Sequence, residues 1–517
     1  MKTKGNTIIK QNNDLVINTV VILIIVLGAY LRLHQLDKES IRLDEAQSIW
    51  QASHSLEFIR NYMAQNVHLP LHNSLLHLWM RIFGASAMSV RVLSAIPGIL
   101  SLPAIYLLSK EILANRKKAI MALTIASISP FWIWYSREIR MYTLLTLVST
   151  LSYYFFLKII KESTWRNVAT YTLINLVGIY THYFFSLVLL VQVVYFLILW
   201  RTGLEPRLKY YAKSVFKLFV ASAIVLILAF LPWAYFQARN TMGGNLSPDL
   251  KSPSSFNIVL SLFEFTLGYQ PENTTAAIIA LWPLTVLIGF VFLKKRKDPL
   301  GPGIYLAFLG AFSPIVIVYV VSLLFQPMYL TRYLISSTPL YYILLAWLLM
   351  EMRGRVQYVV GGMFFAGIML SLHNQVLSPD IPTKENYREA VEFVNNNSTN
   401  RDVVVVSPPY TLYPVYYYYN NPSKLISMPV WDRTQLNIPE INDERLKEDS
   451  TMIQQGHKRI FLIATLDLAG GYTVQNYLDL NYTRLEKHQF SKFVWVSVYQ
   501  AEYPSINTQT ASKEETR

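Results

Sequence analysis

Over the first 373 positions apolar residues come in long blocks separated by short polar breaks, and the blocks thin out after that. A window of about 19 residues suits a helix that crosses a bilayer. It predicts eleven transmembrane helices near residues 16–34, 89–109, 117–135, 141–160, 166–182, 184–200, 215–236, 276–293, 303–325, 333–351 and 356–373. The first run, Val16 to Leu33, is longer than a signal-peptide core and lacks a small-residue cleavage site, so it reads as a retained helix. Beyond 373, short strands are expected over Asp402 to Ser407, Arg459 to Ala464 and Phe493 to Tyr499, with a helix over Lys384 to Asn395. The reading is a polytopic α-helical membrane domain over 1–373, a small soluble α/β domain over 374–504 and a polar, disordered tail over 505–517. No internal repeat is visible.

Charge adds an orientation. The clusters Lys2/Lys4/Lys10, Lys110/Arg116/Lys117/Lys118, Lys158/Lys161/Arg166, Arg201/Arg207/Lys209/Lys213, Lys294 to Lys297 and Arg353/Arg355 fall on every second connection. The positive-inside rule puts them in the cytoplasm, giving N-in and C-out. The connections 35–88, 136–140, 237–275 and 326–332, the tight turn at His182-Tyr183 and the C-terminal domain are then expected outside. Composition agrees: 53% hydrophobic and 15% charged residues are more apolar than a soluble chain of this size. The net charge of +14 sits in those clusters rather than on one basic face, so it speaks for orientation and against nucleic acid. The absence of cysteine excludes disulfides, thiolate zinc sites and cysteine nucleophiles.

The chemistry concentrates in the outer connections. The first, 35–88, is far longer than a link needs, and its apolar stretch Leu75 to Phe83 is too short to span but fits a helix in the interface. It carries Asp44-Glu45, whose side chains diverge by about 100° on a helix, so one carboxylate acts while the other supports. The bland alternative is that both cap an interfacial helix. His68-Leu69-Pro70-Leu71-His72-Asn73 follows, with proline at a helix start. The proline disfavours a two-histidine metal site, leaving His68 either a hydrogen-bonding group or an ordinary surface histidine. The next connection holds Arg137, Glu138 and Arg140 beside Tyr142. On a helix Arg137 and Arg140 share a face and could grip a phosphate. Arg332-Tyr333 supplies a third outer arginine, and snorkelling to headgroups or pairing with Glu138 is the competing account. His182-Tyr183 is equally open. The tyrosine run Tyr410, Tyr413 and Tyr416 to Tyr419 reads either as packing or as a stacking surface.

In this order the pieces resemble the GT-C superfamily of integral-membrane glycosyltransferases, in particular the protein O-mannosyltransferase and lipid A aminoarabinose transferase-like group. Asp44-Glu45 matches the acidic pair of the first outer loop, and His68-Leu69-Pro70-Leu71 resembles the His-Pro-Pro-Leu segment. Gly84, Ser89 to Ser94, Tyr135 to Tyr142, Tyr180 to Tyr183 and Arg332-Tyr333 follow in sequence, so the resemblance covers most of residues 20–350. Leu69 in place of the first proline and His72-Asn73 in place of the usual ending are departures, so donor and acceptor preference do not carry over. The lack of an inserted barrel-like domain implies a bacterial or archaeal member.

The resemblance implies inverting transfer of a sugar from a polyprenyl-phosphate donor to an acceptor hydroxyl of a protein, glycolipid or polysaccharide. Transfer would take place on the outer face of the plasma membrane. Asp44 is the implied general base, supported by Glu45. Arg137, Arg140 and Arg332 are the implied donor-phosphate ligands, and His68, Glu138, Tyr142, His182, Tyr183 and Tyr333 bind substrate. No cofactor and no metal ligand is expected, with a divalent cation left open. The bilayer is a partner and nucleic acid is not. A transporter or flippase for a lipid-linked sugar, and a non-catalytic envelope-assembly subunit, stand as alternatives.

Overall fold

The computed structural model describes residues 2–66, 68–240, 250–268, 300–377, 385–435, 437–454, 456–466 and 471–501. The helix expected at 276–293 and the tail at 505–517 lie outside them. Among the described residues eight helices are long and apolar enough to cross a bilayer: Asp14–Leu33, Ala87–Leu113, Tyr142–Lys161, Phe185–Thr202, Pro206–Asn240, Pro302–Leu324, Thr331–Glu351 and Arg355–Val376. Apolar side chains such as Ile227, Leu228, Leu323 and Leu324 are exposed on these helices, as a lipid solvent allows and water does not. The chain is a multi-pass, mostly helical membrane protein carrying a small α/β domain. The segment expected at 166–182 is a 17-residue helix, Trp165–Thr181. At about 1.5 Å per residue that falls short of a hydrocarbon core of about 30 Å.

Residues 117–135, expected as one helix, form two: Arg116–Ile128 and Pro130–Ser136 meet at 53°. Ser129 starts the second by accepting from the Trp132 N–H at 3.2 Å, with Pro130 in the first turn. Proline brings no N–H for the Ala126 carbonyl four residues back. The fully buried Arg32 supplies the missing donors: Nη2 donates to Ala126 O at 3.0 Å, and Nη1 donates to Ser127 O at 3.0 Å and to Gly28 O at 2.8 Å. A backbone carbonyl without water or partner costs about 1–3 kcal/mol. Arg32→Met is therefore expected to destabilise the membrane unit by about 2–4 kcal/mol, read as a lowered thermal midpoint in detergent.

The turn at His182-Tyr183 depends on Gly178, where any Cβ would strike the ring of Phe185 from the next helix. Glycine lets the two helices fold back within three residues.

The chain divides into two compact units, Met1–Leu36 with Gln51–Ile381, and Asp37–Trp50 with Pro382–Arg517. Part of the first long loop thus folds with the C-terminal domain. That domain is a five-stranded sheet of order β2-β1-β3-β5-β4, from β1 (Val403–Ser407), β2 (Lys424–Ser427), β3 (Arg459–Thr465), β4 (Arg484–Gln489) and β5 (Val494–Gln500). β1 pairs parallel with β2 and β3, while β5 pairs antiparallel with β3 and β4. Strand β1 is buried on both faces. Val404 and Val406 pack with Val391 and Val394 of helix Tyr387–Asn397, and Val403 and Val405 with Leu446 and Leu478. β2 and β4 escape the sequence reading because they are edge strands, one of four residues and one nearly all polar and exposed.

Candidate active site

The acidic pair opens helix Leu43–Ala52. Both carboxylates lie in its first turn, where the helix dipole favours negative charge. Their surroundings differ. Glu45 is 1% exposed, and its Oε2 accepts from the Arg42 N–H at 3.1 Å, reaching back to the helix start as in a capping box. Asp44 is half-buried, and its carbonyl receives the Ser48 hydroxyl at 2.9 Å. The capping account therefore holds for Glu45. Asp44 is the less buried residue of the pair. The pair belongs to the compact unit that includes Pro382–Arg517, and the remaining sequence candidates belong to the membrane unit.

In the membrane unit some of those candidates lie near Arg140 and others do not. Residues 137–141 form a turn between helices Pro130–Ser136 and Tyr142–Lys161, so the helical spacing that paired Arg137 with Arg140 does not apply. Arg137 Nη2 donates to Leu31 O at 2.8 Å and His34 O at 2.6 Å, closing the end of the first helix. Arg140 is buried and donates through Nη2 to His68 Nε2 at 3.0 Å, which makes His68 a neutral acceptor with its proton on Nδ1. The backbone N–H of Arg140 donates to Glu138 O at 2.8 Å, so the buried Glu138 shares the same turn.

His182 caps helix Trp165–Thr181, and its Nδ1 accepts from the Phe184 N–H at 3.1 Å. Its ring lies 5.4 Å from that of Tyr333 and 6.5 Å from that of the fully buried Tyr142. Tyr183 turns the other way and donates to Gln237 Oε1 at 2.7 Å, tying the turn to helix Pro206–Asn240. Arg332 lies in the 3-10 helix Thr331–Ser337 with its guanidinium 5.8 Å from the Tyr333 ring centre.

One residue was missed, and one was weighed only as a metal ligand. Glu264 is a carboxylate in the apolar helix Ser255–Leu267. Burial raises its pKa, and a hydrogen bond from Thr331, the neighbour of Arg332, pulls the other way. A single acid inside Phe263 to Leu267 was the available signal. His72 is the other. It is buried on helix Leu71–Phe83, bonded at Nδ1 to Asn73 Oδ1 at 3.3 Å, with Nε2 unpartnered.

Burial lowers the pKa of His72 to about 4 and of His182 to about 3, and the charge of Arg140 pushes both the same way. Both histidines are held neutral. With folded values below the ordinary 6.5, the unfolded chain binds more protons between pH 6.5 and the folded values. Stability is thus full above about pH 6.5 and falls as pH drops, on the order of 1 kcal/mol per pH unit for each group. The thermal midpoint of wild type should be lower at pH 5 than at pH 7, and the gap should be smaller in His182→Asn.

Comparison with known proteins places the fold. A family model described as dolichyl-phosphate-mannose-protein mannosyltransferase matches residues 67–235. No curated protein matches by sequence. The crystal structure of ArnT from Cupriavidus metallidurans bound to undecaprenyl phosphate is similar at 12% identity and TM-score 0.57, over 93% of this chain and 98% of that one. The apo oligosaccharyltransferase of Archaeoglobus fulgidus is similar at 12% identity and TM-score 0.52, over 95% of this chain and 75% of that one. The same enzyme tethered to an acceptor peptide gives 11% identity and TM-score 0.51, over 93% and 74%. The fold is that of GT-C glycosyltransferases, and the chain resembles the O-mannosyltransferase and ArnT group.

Proposed function

We propose that this protein transfers a sugar from a polyprenyl-phosphate donor to an acceptor hydroxyl at the outer face of the plasma membrane, with inversion. The acceptor oxygen attacks the anomeric carbon, its proton passes to the Asp44 carboxylate, and the bond from that carbon to the phosphate oxygen breaks. Polyprenyl phosphate leaves with the bonding pair. A single base suffices because the nucleophile displaces the leaving group directly, without a covalent sugar-enzyme intermediate.

The observation that carries the reading is the division within the acidic pair: Glu45 is buried and accepts at the helix start, while Asp44 beside it is half-buried. Arg140, set by neutral His68, is the principal cation for the departing phosphate, and Arg332 supports it. Fixed guanidiniums aimed at growing negative charge lower the barrier because they need no reorganisation as the bond breaks. His182, Tyr333, Tyr142 and Glu138 line the donor side. Arg137 and Tyr183 hold the turns that carry these groups. The mechanism invokes no metal.

Support also comes from the relatives: the similar ArnT binds undecaprenyl phosphate, and the similar oligosaccharyltransferase takes an acceptor peptide. The test is transfer from a panel of labelled polyprenyl-phosphate sugars to native envelope extract by the protein in lipid vesicles, with the anomeric configuration of the product determined. Transfer with inversion supports the proposal. Retention would rule out direct displacement, and labelled donor crossing the vesicle unchanged would point to a flippase.

A further inference from the structure

Residues 34–42, leading from the first helix to the acidic pair, form turns and coil. A segment of this kind ordinarily opens at little cost. Here its backbone is held almost residue by residue. From helix Tyr387–Asn397, Arg388 Nη2 donates to Asp37 O at 2.6 Å and Glu39 O at 3.3 Å, and Nη1 donates to Lys38 O at 3.4 Å. The Arg388 backbone N–H donates to Ser40 Oγ at 3.1 Å. The Ile41 N–H donates to the Tyr418 hydroxyl at 2.8 Å, and the Leu43 N–H to Glu385 Oε2 at 3.4 Å. Arg42 is held from within by Glu45. The guanidinium of Arg388 also lies 5.8 Å from the centre of the Tyr418 ring.

Three residues, Glu385, Arg388 and Tyr418, thus bond six of the seven residues before Asp44, five of them from a side chain to a peptide group. Recognition of peptide groups fixes the path of a chain whatever its side chains are. The planar fork of arginine reaches three carbonyls at once, which a lysine ammonium on its flexible stem cannot do in one geometry. We infer that the C-terminal domain is a brace for the acidic loop, with Arg388 as the positioning residue that keeps Asp44 where it can take the acceptor proton. This rests on the assignment of Asp44 as base.

The test compares full-length wild type, Arg388→Ala, Arg388→Lys, Tyr418→Phe and Asp44→Asn in lipid nanodiscs. The readouts are kcat, the KM for donor, and amide hydrogen exchange across residues 37–45 and 387–500. Misplacing a reacting group by about 1 Å can cost on the order of a hundredfold. Arg388→Ala should therefore lower kcat about 10- to 100-fold with the donor KM changed by less than about threefold, and exchange should rise at 37–43. Arg388→Lys should fall between, and Tyr418→Phe, which keeps the ring and loses only the acceptor for Ile41, should lower kcat about two- to fivefold. Wild-type kcat in Arg388→Ala beside an inactive Asp44→Asn overturns the brace and leaves the base standing. An active Asp44→Asn sinks the base itself. If Arg388→Ala loosens the whole domain, Tyr418→Phe decides, and an unchanged kcat there counts against the brace.

Discussion

Asp44→Asn is expected to lower sugar transfer by about 10²- to 10⁴-fold, the usual contribution of a positioned general base. Asparagine keeps the volume of the side chain and favours a helix start as aspartate does, so helix Leu43–Ala52 should form as before. What is lost is the capacity to accept a proton. Transfer should therefore fall in kcat with the donor KM nearly unchanged, since the donor is bound from the membrane unit in the proposed scheme. Glu45→Gln is the matched control. Its amide oxygen can still accept from the Arg42 N–H, so activity should stay within a few-fold, whereas Glu45→Ala should cost about 1 kcal/mol of stability by removing the cap. The assay is transfer of labelled sugar at equal protein level. A larger loss from Glu45→Gln than from Asp44→Asn would reverse the two roles.

Arg140→Ala is expected to lower kcat/KM by about 10²- to 10³-fold, the scale seen when one preorganised donor to a developing anion is removed. Arg140 is buried, so its charge acts in a medium far less screening than water. Arg140→Lys should recover only part of the loss. One ammonium cannot keep the bond to His68 and meet a phosphate with the same fork. Arg137→Ala should behave differently, lowering thermal stability through the freed carbonyls of Leu31 and His34 and affecting the chemistry less. Initial rates across donor concentrations, with melting curves for each variant, separate the two. If Arg137→Ala proved the more damaging to kcat/KM at equal stability, Arg140 would not be the phosphate ligand.

The membrane nature of this chain, most of its helices and the fall in hydropathy ahead of the C-terminal domain were legible because hydropathy is a one-dimensional property. A bilayer asks each segment the same question wherever it lies in the fold. The strands built from Val403 to Val406 and from Ile460 to Ala464 were legible for a related reason, since strands covered on both faces must be apolar throughout. The bend at Ser129-Pro130 was written in the proline, but the donor that makes the bend tolerable is Arg32, almost a hundred residues away.

The sequence by itself determined which residues could do chemistry: the acids Asp44 and Glu45, the arginines 137, 140 and 332, and the histidines beside prolines and turns. Only the tertiary structure decided what surrounds each of them. It spent Glu45 on a helix start and Arg137 on two carbonyls, gave Arg140 to His68, buried His72 and His182 in neutral form, and brought in Glu264 from a helix that reads as apolar. It also assigned the acidic loop to the same compact unit as Arg388 and Tyr418, more than three hundred residues on. The physical reason is that a side chain's role is set by which polar groups reach it and how much water remains. Both are properties of contacts between distant parts of the chain, which no local pattern encodes.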